Sequence, residues 1–256
     1  MTKPVFNLTV IGAGTVLPCA LRSPSCHLLQ VGNRNFVCDL GPGSLPRLAA
    51  AGMDYREIET VFISHLHPDH VMDIVTLLQA TNATPGWNRT RNLTMIGCRG
   101  LKEFVRQLLM IFRDAEPETY VLDIIELDVG RHEIADLVVE AALTGHTSNS
   151  LAFRIEAQGK VFVYSGDAAD VPELTALARD ADLFLCECSF PEGYQTDDHL
   201  TSATAARLAD NAGVKHLVLT HTYPTTDHAL TLQEAGKVFD GQISVAIDGT
   251  TIQVLP

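Results

Sequence analysis

The chain has 256 residues and sets 18 lysines and arginines against 31 aspartates and glutamates, for a net charge of −13. Such a length buries a large core, and with no low-complexity tract or long charge run to mark a boundary, a single domain over residues 1–256 is expected. The acidic balance disfavours an extended grip on a polyanion such as tRNA, which calls for a basic face. No apolar run approaches the roughly 20 residues of a membrane span, and Met1-Thr2-Lys3-Pro4 leads into strand-like residues, so a cytoplasmic protein without membrane contact is expected.

Apolar alternation predicts strands over 6–11, 26–31 and 34–38. The first runs into Gly12-Ala13-Gly14, but the third glycine of a dinucleotide loop is missing and Pro18 falls where its helix would begin, so this is read as a structural turn. After Asp39-Leu40-Gly41-Pro42-Gly43 a helix over 45–50 stops at Gly52, and the apolar run 60–64 is the next strand. A helix over 71–79 leads to Trp87-Asn88-Arg89-Thr90-Arg91. This loop, a lone tryptophan beside two arginines in an acidic protein, is expected at a pocket mouth, contacting substrate anions. Further strands are predicted over 93–97, 121–127, 137–143, 151–156, 161–165, 183–187, 217–220, 243–247 and 251–255, with helices over 101–112, 171–180, 201–212 and 230–239. Strands outnumber helices and come in adjacent runs, which suits two mixed sheets between helical layers.

The cysteines (Cys19, Cys26, Cys38, Cys98, Cys186 and Cys188) form no C-x-x-C pair and are expected to be thiols. In Leu183-Phe184-Leu185-Cys186 the period of two reads as a buried strand, so metal ligation by Cys186 and Cys188 is not expected. Four Asn-x-Thr triplets, beginning at Asn7, Asn82, Asn88 and Asn92, are read as chance matches.

His65-Leu66-His67-Pro68-Asp69-His70 packs three imidazoles and a carboxylate into one turn at the exit of a strand. Neutral imidazole and carboxylate are ligands for zinc and neighbouring divalent metals, and His65 and His67 on an extended exit can reach one ion together while Asp69 and His70 face a second. Four later positions also follow strand-like segments: His146 in Thr144-Gly145-His146-Thr147, Asp167 in Ser165-Gly166-Asp167-Ala168, His199 in Asp198-His199-Leu200-Thr201, and His221 in Leu219-Thr220-His221-Thr222. Taken singly, each reads as a structural residue.

In this order, together with Val10-Ile11-Gly12-Ala13-Gly14, the Asp39-Leu40-Gly41-Pro42-Gly43 turn and Val218-Leu219-Thr220-His221, these segments resemble the metallo-β-lactamase fold superfamily, and within it the ribonuclease Z and cyclic-phosphate phosphodiesterase branch. The resemblance implies an α/β fold, a four-layer αββα sandwich of two mixed β-sheets flanked by helices. It implies that His65, His67 and His146 hold one metal, that Asp69, His70 and His221 hold the other, and that Asp167 bridges them. A shared anion offsets the repulsion of two dications about 3.5 to 4 Å apart, and water between them becomes a hydroxide nucleophile near neutral pH. Two divalent ions are expected, with His-rich ligation favouring zinc and manganese as the alternative. Asp69 is expected to share in catalysis. So is His199, which matches a histidine that acts near the leaving group, supported by a glutamate that Glu187 matches.

One departure bears on substrate. Ribonuclease Z enzymes that cut tRNA precursors carry a long Gly- and Pro-rich arm between the third histidine and the bridging aspartate, whereas His146 and Asp167 here are separated only by two strands and a Gln158-Gly159-Lys160 turn. The reading shifts to a small anionic substrate, a phosphodiester or cyclic phosphate. The alternatives are a ribonuclease Z-like RNA endonuclease, a thioester, lactone or β-lactam hydrolase, and a metal-binding module without catalysis. A homodimer is compatible with all of them. A true β-lactamase lacks a bridging aspartate at Asp167, and a di-iron redox relative would carry glutamate in place of His67.

Overall fold

The computed structural model describes residues 6–134 and 137–254. Its strands are β1 (Phe6–Gly12), β2 (Cys26–Val31), β3 (Arg34–Cys38), β4 (Thr60–Ile63), β5 (Leu93–Gly97), β6 (Leu122–Glu126), β7 (Gly130–Ile134), β8 (Leu137–Leu143), β9 (Leu151–Ala157), β10 (Lys160–Tyr164), β11 (Leu183–Glu187), β12 (His216–Thr220), β13 (Gln242–Val245) and β14 (Thr251–Gln253). The helices are α1 (Ser44–Ala50), α2 (Pro68–Val71), α3 (Asp73–Ala83), α4 (Leu101–Ile111), α5 (Pro172–Leu177), α6 (Ser202–Ala212) and α7 (His228–Ala235). Two seven-stranded sheets run in the orders β14-β1-β2-β3-β4-β5-β6 and β13-β12-β11-β10-β9-β8-β7. Each pairs its hairpin strands antiparallel, then adds three parallel pairings, β3 to β6 in one sheet and β10 to β13 in the other. This is the expected αββα sandwich.

The period of two in each strand assigns side chains to layers. In β4, Phe62 enters the core between the sheets while Val61 and Ile63 meet the helical layer of Leu48, Ile74, Leu77 and Val105. In β11, Leu183 and Leu185 face the opposite sheet, whereas Phe184 and Cys186 pack under α5 and α6 against Leu174, Ala205 and Ala209. Strands covered on both faces read as continuous apolar runs, which is why β4 was legible. The same alternation turns Cys186 and Cys188 towards the helices, away from the strand-end edge, and all six cysteines are free thiols.

Helices α5 and α7 end earlier than expected, at Leu177 and Ala235, and two elements depart further. Gly130-Arg131-His132-Glu133-Ile134 forms the edge strand β7, half exposed and too polar to register as a strand; charges on an edge discourage pairing with another chain. The helix expected from 71 begins at Pro68 and is interrupted at Met72. Proline at the first helical position loses no intrahelical hydrogen bond, so Asp69 and His70 stand in a helical first turn. The Gly12-Ala13-Gly14 segment, expected as a turn, instead ends β1 at Gly12 and continues as irregular chain, with Gly12 packed so closely that a Cβ there would lie 2.0 Å from the Pro24 carbonyl oxygen. Among the described residues no helix is long and apolar enough to cross a membrane.

The Trp87 to Arg91 loop does not lie at the pocket mouth. It precedes β5, which is parallel to β4, and therefore sits at the opposite end of the sheet from His65. Trp87 packs edge-on against Tyr55, and the Arg89 guanidinium is buried, donating to the carbonyls of Ile58 (2.7 Å), Arg91 (2.8 Å) and Asn92 (3.0 Å). Arg91 is paired with Glu57 and Glu59. Removing a buried guanidinium strands these carbonyls, so Arg89→Ala is expected to cost about 2–4 kcal/mol in urea unfolding. Michaelis constants for anionic substrates should stay unchanged; an increase with native stability would return this loop to the pocket.

Candidate metal centre

The ends of β4, β8, β10, β11 and β12 meet along one edge of the sandwich, and each is followed by, or ends in, an expected site residue: His65, His146, Asp167, Glu187 and His221. Asp69 and His70 reach the same edge from α2. The backbone is shaped for this approach. Gly166 adopts φ 58°, and a Cβ there would fall 2.6 Å from Ser64 Cβ; Gly41 has no room either, with the Asp69 carbonyl oxygen 2.2 Å from where its Cβ would be. Asp39 and His221 occupy the left-handed region at φ 58° and 55°, a strained conformation for non-glycine residues that surrounding contacts must hold.

Asp167 divides the centre. Its Oδ2 lies 3.7 Å from His65 Nε2 and 3.7 Å from His146 Nε2, and His146 Nε2 is 3.1 Å from His67 Nδ1. Its Oδ1 lies 3.2 Å from His70 Nε2 and 3.3 Å from His221 Nε2. Asp69 Oδ2 completes that second group, 3.5 Å from His221 Nε2 and 3.8 Å from His70 Nε2. The donor atoms of His65, His67, His146 and Asp167 all lie within 4.8 Å of one another, as do those of Asp69, His70 and His221.

This donor set fits divalent cations. His65 Nε2, His70 Nε2, His221 Nε2 and Asp167 Oδ1 are buried without any hydrogen-bond partner, an arrangement that costs free energy unless an ion satisfies them. Four rings have their other nitrogen occupied: Nδ1 of His65 meets Ser64 Oγ (3.0 Å), His70 meets Asp39 (2.7 Å), His146 meets the Asp198 carbonyl (2.9 Å) and His221 meets Ser189 Oγ (3.1 Å). Such outer contacts fix the tautomer and aim Nε2 inward. Burial, aided by the nearby His70, pushes His65 well below the ordinary histidine range and keeps it neutral, as a metal ligand must be. Burial acts on His70 in the same direction, but the carboxylates of Asp167 and Asp39 outweigh it and hold this ring's pKa well above its usual value. Burial raises Asp167, yet His221, His70 and His65 bring it well below the carboxylate range. Positive charge is wanted between these carboxylates.

Two residues that sequence reasoning did not assign organise the candidate ligands. Asp39 accepts from Ser64 N (2.8 Å), Ser64 Oγ (2.8 Å), His70 Nδ1 and Tyr164 OH (2.5 Å), tying an end of each sheet to the His70 ring. Its only signal was an acidic residue in the Asp39-Leu40-Gly41 turn. Ser189 donates to Glu187 Oε2 (2.8 Å) and sits at hydrogen-bond distance from Nδ1 of both His221 and His199. Glu187 itself is fully buried and lies 2.8 Å from His199 Nδ1 through Oε1, so the expected pairing is present. Burial lowers the His199 pKa, but the hydrogen bond and charge of Glu187 outweigh it, with Asp167 and Asp198 adding, and the ring is raised to about 9. Its ring centroid is 4.6 Å from that of His146 and 5.8 Å from that of His221, flanking both donor groups.

An αββα sandwich with a two-part His/Asp centre at its strand-end edge defines a class, the metal-dependent hydrolases of the metallo-β-lactamase fold. The chain belongs to that superfamily: the family profile described as "Beta-lactamase superfamily domain" matches residues 34–222. It is 29% identical over 287 aligned positions to a protein named "Ribonuclease Z" from Mycolicibacterium gilvum, covering 98% of this chain and 97% of that one. Among solved structures, the metallo-β-lactamase fold protein YhfI from Bacillus subtilis superposes with TM-score 0.86 at 25% identity, covering 98% of this chain and 100% of that one. The short form of human tRNase Z superposes with TM-score 0.79 at 22% identity, covering 98% and 100% respectively, and shows the shared fold.

Asp39→Ala is expected to weaken divalent-metal affinity about 10–100-fold, because His70 loses the contact that orients it. Competition with a chelating dye would measure this; unaltered affinity would mean that α2 alone positions the ring.

Proposed function

We propose that this hydrolase is a binuclear phosphodiesterase acting on a small phosphodiester or cyclic phosphate. His65, His67 and His146 would hold one divalent cation, Asp69, His70 and His221 the other, with Asp167 shared between them. The observation that carries the binuclear reading is the division of Asp167, whose two oxygens face two separate sets of ring nitrogens. The histidine-rich donor set favours zinc, with manganese as the alternative. When bound, such cations offset charge on phosphoryl oxygens and make hydroxide available near neutral pH.

The chain's own residues divide the remaining work. Asp69 and Asp167 supply the anionic side of the centre; burial works against the Asp69 carboxylate, but His221 and His70 keep its pKa below the usual value. His199 has Nδ1 taken by Glu187, so the proton that it can give is on Nε2, where a leaving alkoxide would collect it. Ser189 links the same glutamate to His221, so the orientation of the proposed acid and that of a ligand share one anchor.

Two observations support a small substrate. Between His146 and Asp167 the chain holds only the hairpin of β9 and β10, turned at Gln158 and Gly159, and the overall charge is −13. The ribonuclease Z from M. gilvum aligns over 287 positions while this chain has 256 residues, so that relative carries segments with no counterpart here. The names of the relatives favour a second reading, cleavage of RNA, at the same centre.

Elemental analysis is expected to find two metals per chain, and the loaded protein should hydrolyse bis(p-nitrophenyl) phosphate in preference to thioester, lactone and β-lactam substrates. Asp167→Ala should lower metal content and rate together; full activity with fewer than one metal per chain would end the binuclear reading. His199→Ala should retain both metals yet lose about 10²- to 10⁴-fold more rate on a poor alkoxide leaving group than on p-nitrophenolate, which needs little proton assistance. Equal losses on both would assign His199 to substrate binding.

A further inference from the structure

On the His199 side of the centre, Phe190, Tyr194 and Tyr223 form a stack of rings. Phe190 and Tyr194 lie 3.9 Å apart between centroids and 12° from parallel, and Phe190 and Tyr223 lie 5.0 Å apart at 25°. The stack touches the centre directly: Phe190 meets the His199 ring edge-on at 5.9 Å, and Tyr223 meets His221 at 6.5 Å and 90°. These rings line a cavity of about 440 Å³ together with Thr225, Thr226 and Asp227. Tyr194 is 51% exposed, so the stack presents a face to solvent that the fold does not need for its core.

The chemistry of this cavity differs from that of its neighbour. The donor cluster offers seven ligands and suits an anion once cations fill it, whereas the aromatic cavity has no lysine or arginine in its lining and carries one carboxylate, that of Asp227. A second phosphate placed there would meet no counter-charge. A neutral, flat group with hydrogen-bond donors at its rim would stack on the rings and donate to the threonine hydroxyls and Asp227, and base–aromatic stacking tolerates any base because each has a π-face.

We propose that Phe190, Tyr194 and Tyr223 form a subsite for the nucleobase of a nucleoside phosphodiester, with the phosphate at the metal centre and the base on the His199 flank. The proposal rests on the phosphodiesterase reading and narrows it, selecting nucleotides over sugar phosphates that lack a base. Because His199 stands between the two, the ester oxygen that departs belongs to the nucleoside lying in the cavity.

The test compares adenosine 2′,3′-cyclic phosphate with methyl riboside 2,3-cyclic phosphate, which has the same ring phosphate and no base, on the zinc-loaded protein. The nucleotide is expected to show a kcat/KM at least about tenfold higher, and Tyr194→Ala to cut that ratio about tenfold, with Tyr194→Phe restoring it. Tyr194 is exposed, so the variant should fold, and its melting temperature and metal content check this. Calorimetry with adenosine monophosphate against ribose 5-phosphate reads the same preference without turnover. Equal kcat/KM values for the two cyclic phosphates, or equal affinities for the two monophosphates, would overturn the subsite. If neither cyclic phosphate nor bis(p-nitrophenyl) phosphate is hydrolysed with both metals bound, the phosphodiesterase reading fails, and the calorimetric preference still decides the subsite by itself.

Discussion

One buried carboxylate shared between two groups of imidazoles is the constraint around which the rest of this structure is arranged. Asp167 has little exposure, and its oxygens face His65 and His146 on one side and His70 and His221 on the other. A charge in such a place is tolerable only if positive charge stands close by in a fixed geometry. The requirement propagates outward. Ring nitrogens can face inward only if their opposite nitrogens are held, and Asp39, Ser64, Ser189 and the Asp198 carbonyl do this holding.

The same contacts join the two sheets. Tyr164, at the end of β10, donates to Asp39, beyond the end of β3 in the other sheet, and Leu151 N donates to the Ser64 carbonyl at 2.9 Å. The sandwich is thus closed by hydrogen bonds at the edge where the site lies, while Phe62, Phe153, Phe162 and Leu185 close it by apolar contact further in. Fold and site are coupled through a few side chains, and strain at Asp39 and His221 is kept in place by that coupling.

Charge separates the outside of the molecule from its centre. A net charge of −13 works against a long polyanion lying across the molecule, yet the proposed pair of dications would make the donor cluster locally electropositive. With a nucleobase in the aromatic cavity beside that centre, as proposed, recognition would be divided between charge and stacking. Selectivity among phosphodiesters would then reside less in the metals than in Phe190, Tyr194 and Tyr223.

By itself the sequence determined what depends on near neighbours. Strands such as 26–31, 34–38, 93–97, 137–143 and 183–187 were legible with these bounds because two-residue alternation or a short apolar run is a local property, and β7 was lost because Gly130-Arg131-His132-Glu133-Ile134 has almost no apolar signal. The donor cluster was legible because His65 to His70 is dense and the family resemblance supplied its distant members; the contact of Glu187 with His199 came the same way. Tertiary structure alone decided which residues stand behind the ligands and which end of a sheet a loop occupies. Asp39 and Tyr164 are 125 positions apart, and nothing local to either foretells a hydrogen bond. The arginines after Trp87 follow a helix that begins at the metal motif, so they looked close to it along the chain; the parallel pairing of β4 with β5 carries that loop to the far end, where Arg89 is needed by backbone carbonyls. Strand order and direction are long-range properties, set when the two sheets pack, and they place every group whose partner is remote in sequence.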